Sequence, residues 1–431
     1  MRDRLFSLLI IFLVVYAFFL TFNDSEQYPQ EFSRNVLSVG KPAPKQYFGF
    51  YQTERDKEFK EKKLPTPESA YLLSAFEFPN EISIVHTNRD ITGATLWCRY
   101  FDENSTEISF PQKSFTFPIY LVNCPKVPGT QRVSLSVFEN STDFDFPIPL
   151  VQRDEVDYGA EKYEFSMCVS PIYGKEPKWL MISELIEHYK LQGVSHFYFY
   201  IHLIDQYSRA ILEEYQKTGE ITVVNLLEKY DRGVSDWQIV QYRDCQLRAK
   251  FESRWALFAD LDERILMTGY PGTILNYLRD LKNAQNIGAV VFRQRWILKT
   301  ETMPEKYVND SHLLSWLPTL RWHNTSSVGP PGHTVKTIAD PRKVYEAWVH
   351  YPKRYYPGQH ESHDVKPEDG YVRHYRDQKM GNWGKTWIND VITFGPFSLT
   401  NYSEIYQEKL VENVRKRVEN VYKNYNLKLE D

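Results

Sequence analysis

Three carboxylates fall within four positions at the end of an apolar run: Asp260, Asp262 and Glu263 in "FADLDERIL", Phe258 to Leu266. If the run continues as a strand, Asp260 and Asp262 share one face about 7 Å apart, with Leu261 pointing the other way. Upstream, Trp255 to Ala259 is apolar on both faces, as in a central parallel strand. The aspartates then stand at the carboxyl end of that strand, where open α/β sheets bind ligands. Like charges are tolerated together where a cation neutralises them. Hard oxygen donors suit magnesium or manganese, which bridge carboxylates to the phosphates of a nucleotide substrate. Asp-x-Asp also occurs in ordinary loops, so its position carries the reading.

The elements that must position this stretch are legible around it. After Lys162, strands alternate with helices, which predicts βαβ units and a mostly parallel sheet. "YEFSMCVSPI" (Tyr163 to Ile172) reads as a strand. In "PKWLMISELIEHYKLQG", Leu180, Met181, Ile182, Leu185, Ile186 and Tyr189 follow helical spacing, with Gly193 as a stop. "SHFYFYIHLI" and "ITVVNLL" are strands around a helix from about Ser208 to Lys217. A helix from about Trp237 to Ser253 leads into the acidic stretch, and "GAVVFRQRWIL" is one more strand. The last amphipathic segment carries Leu410, Val414, Val418 and Val421 and closes the domain. Before this region, residues 68–160 hold short apolar runs between Asn, Ser, Pro and Gly, the signature of a small antiparallel β-rich module.

At 431 residues and 42% hydrophobic, the chain can bury a substantial core. A net charge of -4 with scattered Lys and Arg provides no basic field, which argues against a nucleic-acid partner. Arg2 and Arg4 precede an uncharged run, Leu5 to Phe22, long enough for a helix of about 27 Å. No small-x-small cleavage pattern closes it, so a transmembrane signal-anchor at 5–22 is expected, with residues 1–4 as a cytoplasmic tail. Residues 23–67 are polar and punctuated, including "ERDKEFKEKK" (Glu54 to Lys63), and read as a stem. Nearly the whole chain then lies in the lumen. Sequons at Asn23, Asn104, Asn140, Asn309, Asn324 and Asn401, all past the run, agree with that compartment. So do Cys98, Cys124, Cys168 and Cys245, which allow three full pairings; Cys98 with Cys124 closes the shortest loop, and four free thiols are the alternative.

"LIEHYKLQGVSHFYFY", then "QYRDCQLRAKFESRWALFADLDERIL", then "VRHYRD" resemble, in order and spacing, glycosyltransferase family 92. The resemblance covers about Tyr163 to Arg376. It implies a single-pass type II membrane enzyme of the Golgi type, with a catalytic domain of the GT-A fold at 161–425. It further implies transfer of galactose from UDP-galactose with inversion. Asp260 and Asp262 match the family's metal and diphosphate motif, and Glu263 is the acidic residue that follows. His374 in "HYR" matches the histidine that completes the metal shell in many GT-A enzymes, and an imidazole beside carboxylates favours Mn2+ over Mg2+. Arg264 departs from the family, which usually has an apolar residue there.

An inverting transfer needs a base for the acceptor hydroxyl. Glu361, Asp364 and Asp377 lie near "HYR", with Asp364 first among them; any of the three could instead be a surface acid. His350 in "YEAWVH" matches a family segment and counts as a substrate contact, with a buried, satisfied histidine as the alternative. Asp236 and Trp237 before the preceding helix, and Arg243 and Asp244 within it, are candidates for sugar or phosphate recognition, against core packing for the tryptophan. "VHYPKRYYPGQ" (Val349 to Gln359) suits an acceptor loop. The expected activity is metal-dependent transfer of a hexose to a terminal sugar of a glycoprotein glycan. The rival is a membrane-tethered glycan-binding protein on an inactive transferase fold. A phosphoesterase would more often need a second metal cluster, and no second carboxylate and histidine set stands out.

Overall fold

The computed structural model describes residues 44–59, 71–141, 146–227, 232–377 and 381–428. The expected cytoplasmic tail, the signal-anchor and Asn23 lie outside these residues, as does the stem apart from 44–59. Among the described residues no helix is long and apolar enough to cross a membrane.

Helix α1 (Pro44–Glu58) falls within the stretch read as a stem. It seats Tyr51, 1% exposed, against Phe115, Phe117, Tyr345 and Tyr356. Seven strands follow: β1 (Leu72–Glu77), β2 (Glu81–His86), β3 (Thr95–Phe101), β4 (Gln112–Phe115), β5 (Leu121–Pro125), β6 (Arg132–Ser136) and β7 (Ile148–Gln152). They form one sheet in the order β4-β3-β6-β7-β1-β2-β5. The module is antiparallel as expected except that β1 and β7 run parallel. "FTFPIYLV" does not make one strand, because a turn through Phe117-Pro118 separates β4 from β5. The Cys98–Cys124 disulfide ties β3 to β5.

The alternation after Lys162 is realised as β8 (Tyr163–Ile172), α2 (Trp179–Leu191), β9 (His196–Ile201), α3 (Gln206–Lys217), β10 (Ile221–Asn225), α4 (Val234–Ala249) and β11 (Ser253–Ala259). Then come β12 (Glu263–Met267), α5 (Ile274–Arg279), β13 (Ile287–Phe292), β14 (Gln294–Lys299), α6 (Asp310–Trp316), α7 (Pro318–Arg321), β15 (Asn324–Thr325) and β16 (Lys336–Ala339). The chain ends with β17 (Val344–Glu346), β18 (Arg354–Tyr355), β19 (Glu361–Asp364), β20 (Gly370–Asp377), α8 (Gly381–Ile392), β21 (Ser398–Leu399) and α9 (Glu404–Lys428).

The central sheet has the order β10-β9-β8-β11-β16-β13-β19. Only β16 runs against its neighbours, so the sheet is mostly parallel within a mixed α/β fold. Every residue of β9 is buried, which matches its unbroken apolar run with crossovers covering both faces. Gly193 ends α2 at φ +98°, a left-handed conformation that a side chain rarely adopts, and an added Cβ there would meet Leu275. Helix α9 lays Leu410, Val414, Val418 and Tyr422, all fully buried, into the main core with α2. Each such burial contributes about 1.5–3 kcal/mol.

"GAVVFRQRWIL" is not one strand. It breaks at Arg293 into β13 in the central sheet and β14 in a second sheet, β12-β20-β14-β15-β21. The module shares a core with the larger domain: Phe76, Phe78, Val85 and Tyr120 pack with Trp237, Val240 and Tyr242 of α4. A second disulfide, Cys168–Cys245, fastens α4 to β8 beneath that core.

Candidate active site

The acidic stretch is a turn, not a continuing strand. β11 stops at Ala259, Leu261 and Asp262 turn the chain, and β12 starts at Glu263. The backbone N–H of Asp260 donates to Glu263 Oε2 at 2.8 Å, and that of Glu263 to the Asp260 carbonyl at 3.2 Å, which closes the turn. The aspartates therefore do not alternate along a pleat. They still stand at the carboxyl end of β11, with their side chains 28% and 27% exposed while Glu263 is fully buried.

Strand pairing delivers the histidine. β12 and β20 are antiparallel, and their register puts Glu263 directly opposite His374. The His374 Nδ1 lies 2.8 Å from Gln294 Oε1 and 3.4 Å from Glu263 Oε1. Its Nε2 faces Asp262 Oδ2 at 3.3 Å, buried and with no hydrogen-bond partner. The Trp296 ring stacks beside the imidazole, with ring centroids 6.4 Å apart.

Residues not singled out in the sequence complete the cluster. Lys336 opens β16, and because β16 is antiparallel to β11 its first residue lies at the carboxyl edge. Its Nζ is 2.8 Å from Asp260 Oδ2 and 3.1 Å from Glu263 Oε2. Gln238 Nε2 reaches Asp260 Oδ1 at 3.4 Å, and Gln294 Nε2 reaches Glu263 Oε1 at 3.3 Å. A lysine inside the apolar run "VKTIA" was the available signal for Lys336; nothing local marked the glutamines.

These contacts set the charges. Burial opposes ionisation of Asp260, but Lys336 outweighs it and holds that carboxyl below its ordinary range. Burial is likewise overcome at Asp262, where His374 and then Arg376 hold the carboxyl well below its ordinary value. Glu263 is raised by burial, partly offset by Lys336. Burial works against the charge on His374, yet Asp262 and Glu263 raise its pKa.

The remaining predicted residues divide. His350 comes to the cluster's edge: Nδ1 lies 3.1 Å from the Val335 carbonyl, and burial followed by the nearby Lys336 lowers its pKa to about 4. Asp364 ends β19, in register with Val291, which itself pairs with Thr337 of β16, so it shares the carboxyl edge. Asp364 is exposed by its surface area, yet partial desolvation by its surroundings raises its pKa. Glu361 sits at the other end of the same strand and is exposed as well. Asp377 ends β20 and pairs with Lys299 at 3.2 Å. Asp236 accepts from Tyr120 Oη at 2.6 Å, Trp237 is 1% exposed in the core shared with the module, and Arg243 is spent on Glu346 at 2.8 Å and the Ala347 carbonyl at 2.6 Å. Those three join α4 to its surroundings. The proposed acceptor loop is partly committed too, with Arg354 paired to Glu346 and Glu54, and Tyr356 buried.

Among the described residues no three His, Cys, Asp or Glu side chains are arranged as a ready metal cage. The donor chemistry still fits an ion at one place. Oδ2 of Asp262, on a partly exposed side chain, and the orphaned Nε2 of His374 face each other, whereas Asp260 and Glu263 are already held by Lys336.

The sequence profile of glycosyltransferase family 92 matches residues 163–410. Over 264 residues the chain is 24% identical to a glycosyltransferase family 92 protein of Caenorhabditis elegans, covering 58% of this chain and 50% of that one. A second family 92 protein of that organism is 21% identical over 239 residues, 52% of this chain and 43% of the relative. The chain thus spans about half the length of these two relatives. Beta-1,4-galactosyltransferase galt-1 of C. elegans is 23% identical over 299 residues, 65% of this chain and 67% of its own. Among solved structures, S. aureus TarS aligns with 61% of this chain and 73% of the TarS fragment at 11% identity, with a TM-score of 0.26 that carries no argument. The profile covers more than half of the chain, including every strand of the central sheet and the acidic turn with its histidine, and the chain belongs to glycosyltransferase family 92.

Proposed function

We propose that this chain is an inverting glycosyltransferase, with galactose from UDP-galactose as the leading donor and a terminal sugar of a glycoprotein glycan as acceptor. The observation that carries the reading is the pairing of Asp262 with His374 beside Asp260 and Glu263, at the carboxyl edge of the sheet inside a family 92 domain. The name of a galactosyltransferase relative supports the donor. Two disulfides and exposed sequon asparagines at Asn104, Asn140, Asn309, Asn324 and Asn401 support a lumenal, Golgi-type setting with a type II anchor at 5–22. The mostly parallel sheet and the acidic turn at its carboxyl edge support the GT-A reading.

Asp364 is the base of this reading, taking the proton from the acceptor hydroxyl as its oxygen attacks the sugar from the face opposite UDP. It lies three strand spacings from β11, about 14 Å at the usual separation, which leaves room for a hexose beside the acidic turn. A raised pKa strengthens a carboxylate as a base. A manganese or magnesium ion held by Asp262 and His374 would offset the charge that develops on the departing UDP. Asp260 and Glu263 keep the turn closed, and His350 borders the sugar.

The test is UDP release by the purified chain from a panel of UDP-sugars with Mn2+, beside an Asp262→Ala control. Release confined to one sugar and lost in the control names the donor. Silence, persisting after glycan acceptors are added to a folded sample, would favour the glycan-binding reading instead.

A further inference from the structure

Lys336 stands where the carboxylates of the acidic turn would otherwise repel one another. Its side chain is 2% exposed, in a strand at the centre of the sheet between β11 and β13. A buried ammonium is costly unless it is paired and hydrogen-bonded. The compensation comes from Asp260 Oδ2 at 2.8 Å and Glu263 Oε2 at 3.1 Å, one oxygen from each carboxylate. The other oxygens of both groups are engaged as well, that of Asp260 by Gln238 Nε2 at 3.4 Å and that of Glu263 by Gln294 Nε2 at 3.3 Å. Asp262 differs, because its Oδ2 faces the Nε2 of His374, which is buried and has no hydrogen-bond partner. The acidic cluster thus has a half held by the ammonium of Lys336 and a half, Asp262, whose nearest partner is the imidazole of His374.

We propose that Lys336 is a resident counter-ion of the acidic turn: it fills the position between Asp260 and Glu263 that a divalent cation would otherwise take, and leaves Asp262 with His374 Nε2 as the half that faces a metal. The proposal deepens the transferase reading and rests on it for the identity of the ion. Lys336 and Asp260 are then positioning residues. A protein cation then does for two of the three carboxylates what a metal does elsewhere.

The test is Mn2+ binding to the purified chain without nucleotide, read by loss of the free-ion electron paramagnetic resonance signal, with melting temperatures measured in parallel. Asp262→Asn is expected to weaken binding at least tenfold, and Asp260→Asn to leave it within about threefold. Lys336→Met is expected to tighten binding at least tenfold, and Mn2+ to raise its melting temperature more than that of the unsubstituted chain. If Lys336→Met does not fold, Lys336→Arg, which keeps the cation, is expected to bind Mn2+ like the unsubstituted chain. Equal losses in Asp260→Asn and Asp262→Asn would overturn the proposal, as would Mn2+ affinity indifferent to removal of the lysine. Failure of the transferase reading shows separately, as a silent UDP-sugar panel with this binding pattern intact.

Discussion

The Arg264 guanidinium donates to the Leu261 carbonyl at 2.8 Å from a fully buried position, clasping the acidic turn from beneath. It also reaches the Glu263 carbonyl at 3.0 Å, the Met181 carbonyl at 3.1 Å and Glu184 at 3.4 Å, while Glu184 accepts from the Thr319 hydroxyl at 2.6 Å. The residue that departs from the family pattern is therefore engaged here through both terminal nitrogens, while its Nε is buried without a partner. Arg264→Met leaves Glu184 as an unpaired buried charge and is expected to cost about 3–5 kcal/mol in denaturant unfolding. Arg264→Met with Glu184→Met is expected to recover much of that loss; no recovery in the double variant would remove the pair from the account of the turn.

Asp364→Asn is expected to lower turnover by about 10²–10⁴-fold with the KM for donor little changed, the effect of deleting a general base. Glu361→Gln and Asp377→Asn, one at the far end of β19 and the other paired to Lys299, should stay within a few-fold. Steady-state kinetics on the three variants ranks them, and a larger loss at Asp377 would move the base to β20.

The Asp262–His374 pair carries a pH signature in metal-free protein. Asp262 and Glu263 raise the folded pKa of His374 against the effect of burial, so the stability it contributes is fully present below the unfolded value of about 6.5 and is lost as pH rises through the folded value. Asp262 is lowered, so its contribution is present above about pH 4 and is lost as pH falls through its folded value. The stability lead of the unsubstituted chain over His374→Gln should therefore be greatest from about pH 4 to 6.5 and shrink by pH 9. Urea unfolding in EDTA at three pH values measures it; a lead that grows toward pH 9 would contradict the pairing.

Removing the Cys168–Cys245 bond frees a span of 77 residues and is expected to cost about 4 kcal/mol. Removing Cys98–Cys124, which spans 26, should cost about 3 kcal/mol. Paired Cys→Ala variants compared by chemical unfolding give both values, and the longer loop should lose more.

Tyr51 binds α1 to the body. It is 1% exposed, stacks on Tyr345 with centroids 4.8 Å apart and donates to Glu81 at 3.0 Å. Tyr51→Ala is expected to destabilise the protein by about 3 kcal/mol. A fragment beginning at residue 71 should melt well below one beginning at residue 38; equal melting temperatures would make α1 a passive tether.

Local chemistry made much of the architecture legible. Helical spacing in α2 and α9, apolar runs in β9 from Phe197 and in β11 from Trp255, and the strand-helix rhythm after Lys162 are short-range patterns that burial enforces element by element. The same locality left "FADLDERIL" and "GAVVFRQRWIL" looking like single strands, because nothing within a few residues says that Asp260 begins a turn or that Arg293 sits between two sheets. The acidic residues and His374 could be named from their types and from resemblance. What joins them was decided only by register: β12 against β20 sets Glu263 opposite His374, and β16 running against β11 brings Lys336 to the carboxyl edge. The disulfide partners and the burial of Trp237 and Arg243 between α4 and its neighbours are of the same kind. Types and spacings along a chain determine which groups can do chemistry, whereas the charge each one carries depends on neighbours that tertiary pairing supplies.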